Sequence, residues 1–302
     1  MSPTRADQTA SKQSLSPLWF ASFKIESVRF SSLIAIQLLF VSPALLVAQA
    51  SSHLGFDRNT YPGDTNLKAL HQTFSYTGYW LNHPPGEKNN SWTGHRAAVK
   101  SAGFGFLVLF NGRLYADLKS AEPKTVAKAT RLGQSDAEAA AAAAHREGFP
   151  AQTIIFLDQE QGGRMLPEQK TYIYAWVDAV TAAGFRAGIY CSGVPAADDD
   201  NVVTAEDIRA NAAGRHIVYW AINDACPPAP GCVFREHPPS PTESGVPFAE
   251  VWQFAQSPRT ATAAHCTNYN RDGDCIAPKI PTAERLHIDV NTATTPDPSQ
   301  GR

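Results

Sequence analysis

The feature that most constrains what this chain can fold into is a series of short apolar runs separated by helix-like or loop-like stretches. Eight runs occur, at 53–57, 75–81, 104–110, 153–158, 185–191, 216–222, 249–254 and 286–290, and runs of this length bounded by turn residues read as strands. Helix patterns lie between several of them. Residues 134–147 open on Ser135-Asp136-Ala137-Glu138, an N-cap pattern, continue through alanines and close at Gly148. From Pro167 to Gly184, Pro167 and Glu168 suit a first turn, and Tyr172, Ala175, Trp176, Ala179 and Val180 form one apolar stripe. Strand and helix in alternation predict a parallel sheet, and eight strands predict its closed form: a single α/β barrel of the (β/α)8 TIM type, regular or irregular. An open doubly wound sheet is the alternative that periodicity leaves standing.

The first fifty residues are set aside from the fold. Lys24 and Arg29 precede a mostly apolar stretch from Leu33 to Val47, and Ala48-Gln49-Ala50 supplies a small-x-small cleavage pattern. Residues 1–50 therefore read as a bacterial-type signal peptide cleaved after Ala50, with a retained N-terminal anchor as the alternative. The leader is long, which leaves room for a start codon downstream of Met1. Residues 51–293 are expected to form the barrel and 294–302 a disordered tail. The expected location is secreted, periplasmic or cell-envelope.

A net charge of -2 and a pI near 6.5 provide no basic field for nucleic acid or an anionic membrane. The expected partner is not a polyanion, with no nucleic acid and no membrane contact beyond the signal segment, and the chain is expected to be a monomer. Of five cysteines, Cys226/Cys232 and Cys266/Cys275 are close pairs expected to clip the long loops 223–248 and 256–283 after strands six and seven. Proximity is the reason for that pairing. Cys191, in an apolar strand pattern, reads as a buried inert thiol.

Four acids stand where strands are expected to end: Asp57, Asp158, Glu160 and Asp289. Alternate residues of a strand share a face, so Asp158 and Glu160 project together, as do His287, Asp289 and Asn291. First and last strands adjoin in a closed barrel, which sets Asp57 beside Asp289. Crowded, partly desolvated anions raise the pKa of one carboxyl until it acts as an acid near neutral pH. Glu160, nearest the rim, is assigned that role. The competing reading of any one acid is a helix cap or a partner for Arg or Lys.

Tyr79, Trp80, Trp220 and Trp252, with Trp92 in a nearby loop, supply flat faces suited to sugar rings or to ordinary packing. Asn111, Asn223 and Gln253 are candidate hydrogen-bonders to substrate or loop-stabilising amides, and Tyr190 joins the substrate-binding candidates. Asn268-x-Asn270-x-Asp272-Gly273-Asp274 resembles half a calcium loop, but Lys279 stands where a bidentate Glu belongs. The histidines show no metal-ligand spacing, and Gly103-Phe104-Gly105 lacks the rest of a dinucleotide motif. No metal or cofactor is expected.

Gly55-Phe56-Asp57, Leu157-Asp158-Gln159-Glu160, Ala187-Gly188-Ile189-Tyr190, Val251-Trp252-Gln253-Phe254 and Ile288-Asp289-Val290-Asn291 occur in the order found in glycoside hydrolase-like domains related to family 25 lysozymes, which the chain resembles over residues 53–293. That resemblance implies a secreted β/α-barrel muramidase cutting peptidoglycan, with Glu160 as acid, Asp158 orienting substrate or stabilising charge, Asp57 and Asp289 as supporting carboxylates, and retention through the substrate's acetamido group. Such lysozymes typically carry Lys-x-(Thr/Ser)-Glu after strand three, whereas Val108-Leu109-Phe110-Asn111-Gly112 here has no acid. The closer resemblance is to the hydrolase-like branch. Two functions follow as expectations: a glycoside hydrolase acting on peptidoglycan or another amino-sugar polymer, or a non-catalytic glycan-binding envelope protein that keeps the cleft.

Overall fold

The computed structural model describes residues 52–119, 125–224, 238–256, 286 and 288–302. In chain order the elements are β1 (His53–Asp57), α1 (Asp64–Leu70), β2 (Tyr76–Trp80), α2 (Arg96–Ser101), β3 (Gly105–Asn111), α3 (Tyr115–Leu118), α4 (Thr125–Glu147), β4 (Ile154–Asp158), α5 (Pro167–Ala182) and β5 (Arg186–Ser192). There follow a small hairpin of β6 (Pro195–Ala196) and β7 (Val202–Val203), then α6 (Thr204–Ala210), β8 (Ile217–Ile222), a 3-10 turn at Pro241–Ser244, β9 (Val251–Ala255) and β10 (Asp289–Ala293). Eight of these strands close a barrel in the order β1-β2-β3-β4-β5-β8-β9-β10 and back to β1.

Both expected disulfides fall outside the described residues: Cys226 and Cys232 after β8, and Cys266 and Cys275 after β9. Neither bridge is therefore part of the architecture described, in which the described strands pair into a closed barrel. The half calcium loop at 268–279 also lies outside the described residues.

Strand direction departs from a uniform parallel barrel. Each neighbouring pair from β1 round to β9 is parallel, but β10 runs antiparallel to both β9 and β1. The last strand also begins three residues later than the run at 286–290 suggested. Because it is reversed, its first residue lies at the rim where the other strands finish, so Asp289 opens a strand instead of ending one.

The helix expected at 134–147 is longer, starting at Thr125, and the Ser135-Asp136 pair does not cap it. Asp136 accepts both Arg113 Nε at 2.6 Å and Nη2 at 2.7 Å, together with the Tyr172 hydroxyl at 2.9 Å, which leaves its carboxylate committed to tertiary contacts. Gly133 sits within this helix because α5 lies close against it: a Cβ there would meet the Tyr172 carbonyl at 2.4 Å.

Residues 294–302, expected as a disordered tail, are tied to the end of the barrel where β3 and β4 begin. Ser299 donates its N–H to the Phe106 carbonyl and accepts the Ile154 N–H at its own carbonyl, each at 2.8 Å. Its hydroxyl accepts Val108 N–H and Asp297 Oδ1 accepts Phe106 N–H, also at 2.8 Å. The amides at the start of β3 and β4 need acceptors, and this segment supplies them.

Candidate functional site

Register decides which side chains reach the barrel interior. Across β3, β4, β5 and β8 the aligned partners are Asn111, Asp158, Tyr190 and Trp220, and aligned residues share a face. Across β1 and β10, Asp57 is directly opposite Asp289. These two acids thus stand side by side at the rim. Gly78 makes room for Asp57, since a Cβ at that position would meet Asp57 Cβ at 2.6 Å.

Asp57 is buried, and its Oδ2 accepts Asn291 Nδ2 at 2.6 Å and Gln253 Nε2 at 3.1 Å. The other end of that amide, Gln253 Oε1, accepts the Tyr190 hydroxyl at 2.7 Å. A hydrogen-bonded chain therefore runs from β5 through β9 to β1 and β10. Burial first, then the charge of Asp289, pushes Asp57 well above the usual carboxylate range, and its two amide donors pull partly against this. Two facing carboxylates in such a place hold one proton between them more readily than none.

Asp158 is also buried, and its Oδ1 makes no hydrogen bond. Burial, then Glu160, then Asp57 raise its pKa well above the ordinary value. Tyr190 feels all four acids: burial raises its phenol, followed by Asp158, Asp57, Asp289 and Glu160. The phenol ring rests on Trp220, 4.6 Å between centroids.

Glu160 lies beyond the end of β4 and is exposed by surface area. Enough protein surrounds its carboxyl to desolvate it and raise its pKa. It lines a cavity of about 390 Å³ between the loops after β2 and β3, whose walls include Asn82, His83, Phe110, Asn111 and Leu114. Of the four acids, Glu160 alone faces that cavity. Asp57 and Asp158 are buried in the barrel, and Asp289 is half-buried at its rim.

Several candidates are not in the mouth. Tyr79 faces the helix layer, where its hydroxyl donates to Glu147 at the end of α4 and its ring packs on Phe106 and Phe149. Trp252 alternates out of the interior and donates its indole N–H to the Asn223 carbonyl at 2.9 Å. Asn223 is a loop amide, donating to the Ser244 carbonyl at 2.6 Å. Trp220 and Trp80 lie on the interior face but are buried there, Trp220 beneath Tyr190 and Trp80 with its indole donating to the Arg58 carbonyl, which Trp92 in the following loop also reaches. Asn111 is clasped to the β2 loop by its own N–H to Asn82 Oδ1 and its amide to the His83 carbonyl. Gln253 and Tyr190 bond each other. Cys191 is buried, its thiol pushed up to about 12 by burial.

Two interior polar residues were given no site role from the sequence. Asn291 anchors Asp57, and Tyr76, buried inside the barrel, has its phenol raised by burial and then by Asp57. The signal was available in strand alternation, which puts Asn291 on the Asp289 face and Tyr76 on the Gly78 face. Among the described residues no group of His, Cys, Asp and Glu is arranged to hold a metal ion, and no helix is long and apolar enough to cross a membrane.

The Rv2525c-like, glycoside hydrolase-like domain family matches residues 76–231. That stretch includes Asp158, Glu160 and Tyr190, while Asp57, Gln253, Asp289 and Asn291 lie outside it. Among solved structures, an uncharacterized protein of B. stearothermophilus is similar at a TM-score of 0.51 and 19% identity, over 80% of this chain and 95% of that one, which shows a shared fold. The Mycobacterium tuberculosis Tat-secreted protein Rv2525c, in complex with L-tartrate, aligns at 0.48 and 12% identity over 82% and 97% of the two chains. The catalytic domain of endolysin ply40 from bacteriophage P40 of Listeria monocytogenes aligns at 0.44 and 13% over 80% and 92%. No curated protein sequence matches the chain.

Proposed function

The chain belongs to the Rv2525c-like, glycoside hydrolase-like domain family, and from that premise we propose that it is an exported glycosidase acting on peptidoglycan or another amino-sugar polymer. The observation that carries this reading is Glu160: an acid whose pKa is raised by desolvation, on the wall of a cavity and within electrostatic reach of buried Asp158. Export rests on the pattern of residues 1–50.

In this mechanism a glycosidic bond lies along the cavity with its bridging oxygen at Glu160. Glu160 gives its proton to that oxygen as the C–O bond breaks, and positive charge develops on the sugar ring. Asp158 and the Asp57/Asp289 pair set a negative potential beneath it that favours this charge more than the neutral ground state. Water supplies the oxygen that closes the anomeric carbon, and its proton returns to Glu160. Asn111 contributes a polar wall to the cavity.

The test is to incubate purified protein with peptidoglycan and with soluble chito-oligosaccharides, and to count new reducing ends beside a Glu160→Gln variant. The variant is expected to fall by about 100-fold or more, the usual contribution of a positioned acid. If wild type and variant release no reducing ends yet bind glycan equally, the barrel is a glycan-binding module.

A further inference from the structure

Glu160 belongs to a segment, 159–166, that is neither strand nor helix, yet a group that transfers a proton to a substrate has to be held to a fraction of an ångström. The segment is fastened on two flanks. Toward β5, Asp199 Oδ2 accepts Arg164 N–H at 2.5 Å, Asp207 Oδ2 accepts Met165 N–H at 2.9 Å, and Thr204 Oγ1 donates to the Gly163 carbonyl at 3.0 Å. These bonds hold residues 163–165, which lie beyond the acid.

Toward β3 the fastening is next to the acid itself. Gln161 Oε1 accepts Tyr115 N–H at 2.6 Å and Gln169 Nε2 at 3.0 Å. One oxygen thereby joins the Glu160 segment to the start of α3 and to α5. Gln169 is buried, and its own Oε1 accepts Leu166 N–H at 2.9 Å, closing the far end of the same segment. Gln159, on the other side of Glu160, donates its amide to the Gln161 carbonyl at 3.4 Å and its backbone N–H to the Tyr190 carbonyl at 2.9 Å.

We infer that Gln161 is a positioning residue for Glu160: as a double acceptor it fixes the segment that carries the acid against the β3–α3 loop, on the wall of the cavity. Its effect on turnover rests on the glycosidase reading, while its effect on the segment does not. Gln161 touches no substrate in this scheme and acts through its neighbour.

Wild type is compared with Gln161→Leu, which removes the acceptor at similar size, and Gln161→Glu, which keeps an acceptor for both donors and adds a charge. With chito-oligosaccharide as the probe, Gln161→Leu should lower kcat by about 10- to 100-fold with KM within about twofold, as expected for a misplaced group. Gln161→Glu should recover most of kcat and move the alkaline limb of the pH–rate profile upward, because a neighbouring anion raises the pKa of Glu160. Amide hydrogen exchange over 159–166 should rise by about tenfold in Gln161→Leu, from two lost hydrogen bonds, and stay near wild type in Gln161→Glu. Wild-type exchange in Gln161→Leu, or equal kcat losses in both variants, overturns the inference. If wild type releases no reducing ends, the glycosidase reading falls, and hydrogen exchange alone decides whether Gln161 fixes the segment.

Discussion

At the end of the barrel where β3 and β4 begin, the amides of Phe106, Val108 and Ile154 each have an acceptor supplied by Asp297 or Ser299. At the opposite end, Asp158 Oδ1, Gln159 Oε1 and Asn291 Oδ1 are buried without a hydrogen-bond partner, and acids are packed against acids. Both ends bury polar atoms, but the mouth leaves several of them unpaired beside the bonded Asp57, Gln253 and Tyr190. Leaving a buried acceptor unpaired costs about 1–3 kcal/mol, so the mouth is maintained against stability while the closed end contributes to it. Such a division is what a functional site on a stable scaffold requires.

The largest expected effect is at the mouth. Asp158→Asn should cut reducing-end formation by about 100-fold or more, the scale for a lost electrostatic stabiliser, and should also stabilise the fold above acidic pH. The sign follows from the raised pKa of Asp158. A carboxyl whose folded-state pKa exceeds its unfolded value favours the native state below the unfolded value, and that contribution disappears as pH rises through the folded value. Melting curves from pH 4 to 8 should show the variant gaining on wild type as pH increases. A constant difference would mean that Asp158 does not titrate with folding.

At the closed end the pattern inverts. Ser299→Ala leaves the Val108 amide buried and unpaired, which should cost about 1–3 kcal/mol, seen as a lower urea midpoint at unchanged slope. Turnover per folded molecule should not move. A loss of activity without a loss of stability would break the contrast between the two ends.

The smallest effect tests the outer face. Tyr79→Phe removes the hydroxyl shared with half-buried Glu147 and should cost about 1 kcal/mol, with glycan binding by calorimetry unchanged. Weakened binding would return Tyr79 to the site.

The positions of the eight strands were legible because apolar runs bounded by turn residues are a local property. Strand direction was not. Alternation reads the same forward and backward, so the run ending in Val290 could not reveal that β10 is reversed, although the adjacency of Asp57 and Asp289 followed from closure alone. Which of two buried faces points inward was equally hidden: Tyr79 and Trp80 are both apolar and both buried, and only the register with β1 and β3 separates them. The tail beyond β10 looked disordered because its polar residues have no local partner. Their partners are the ends of distant strands.

The sequence by itself determined the eight apolar strand runs, the alternation of strand and helix, and the acids at the ends of those runs, since these depend on periodicity and on residue type. The tertiary structure decided which acids are buried and which one meets a cavity, and it joined Tyr190 to Asp57 through Gln253. Those outcomes rest on hydrogen bonds and desolvation between strands far apart in the chain, and both are properties of the closed barrel.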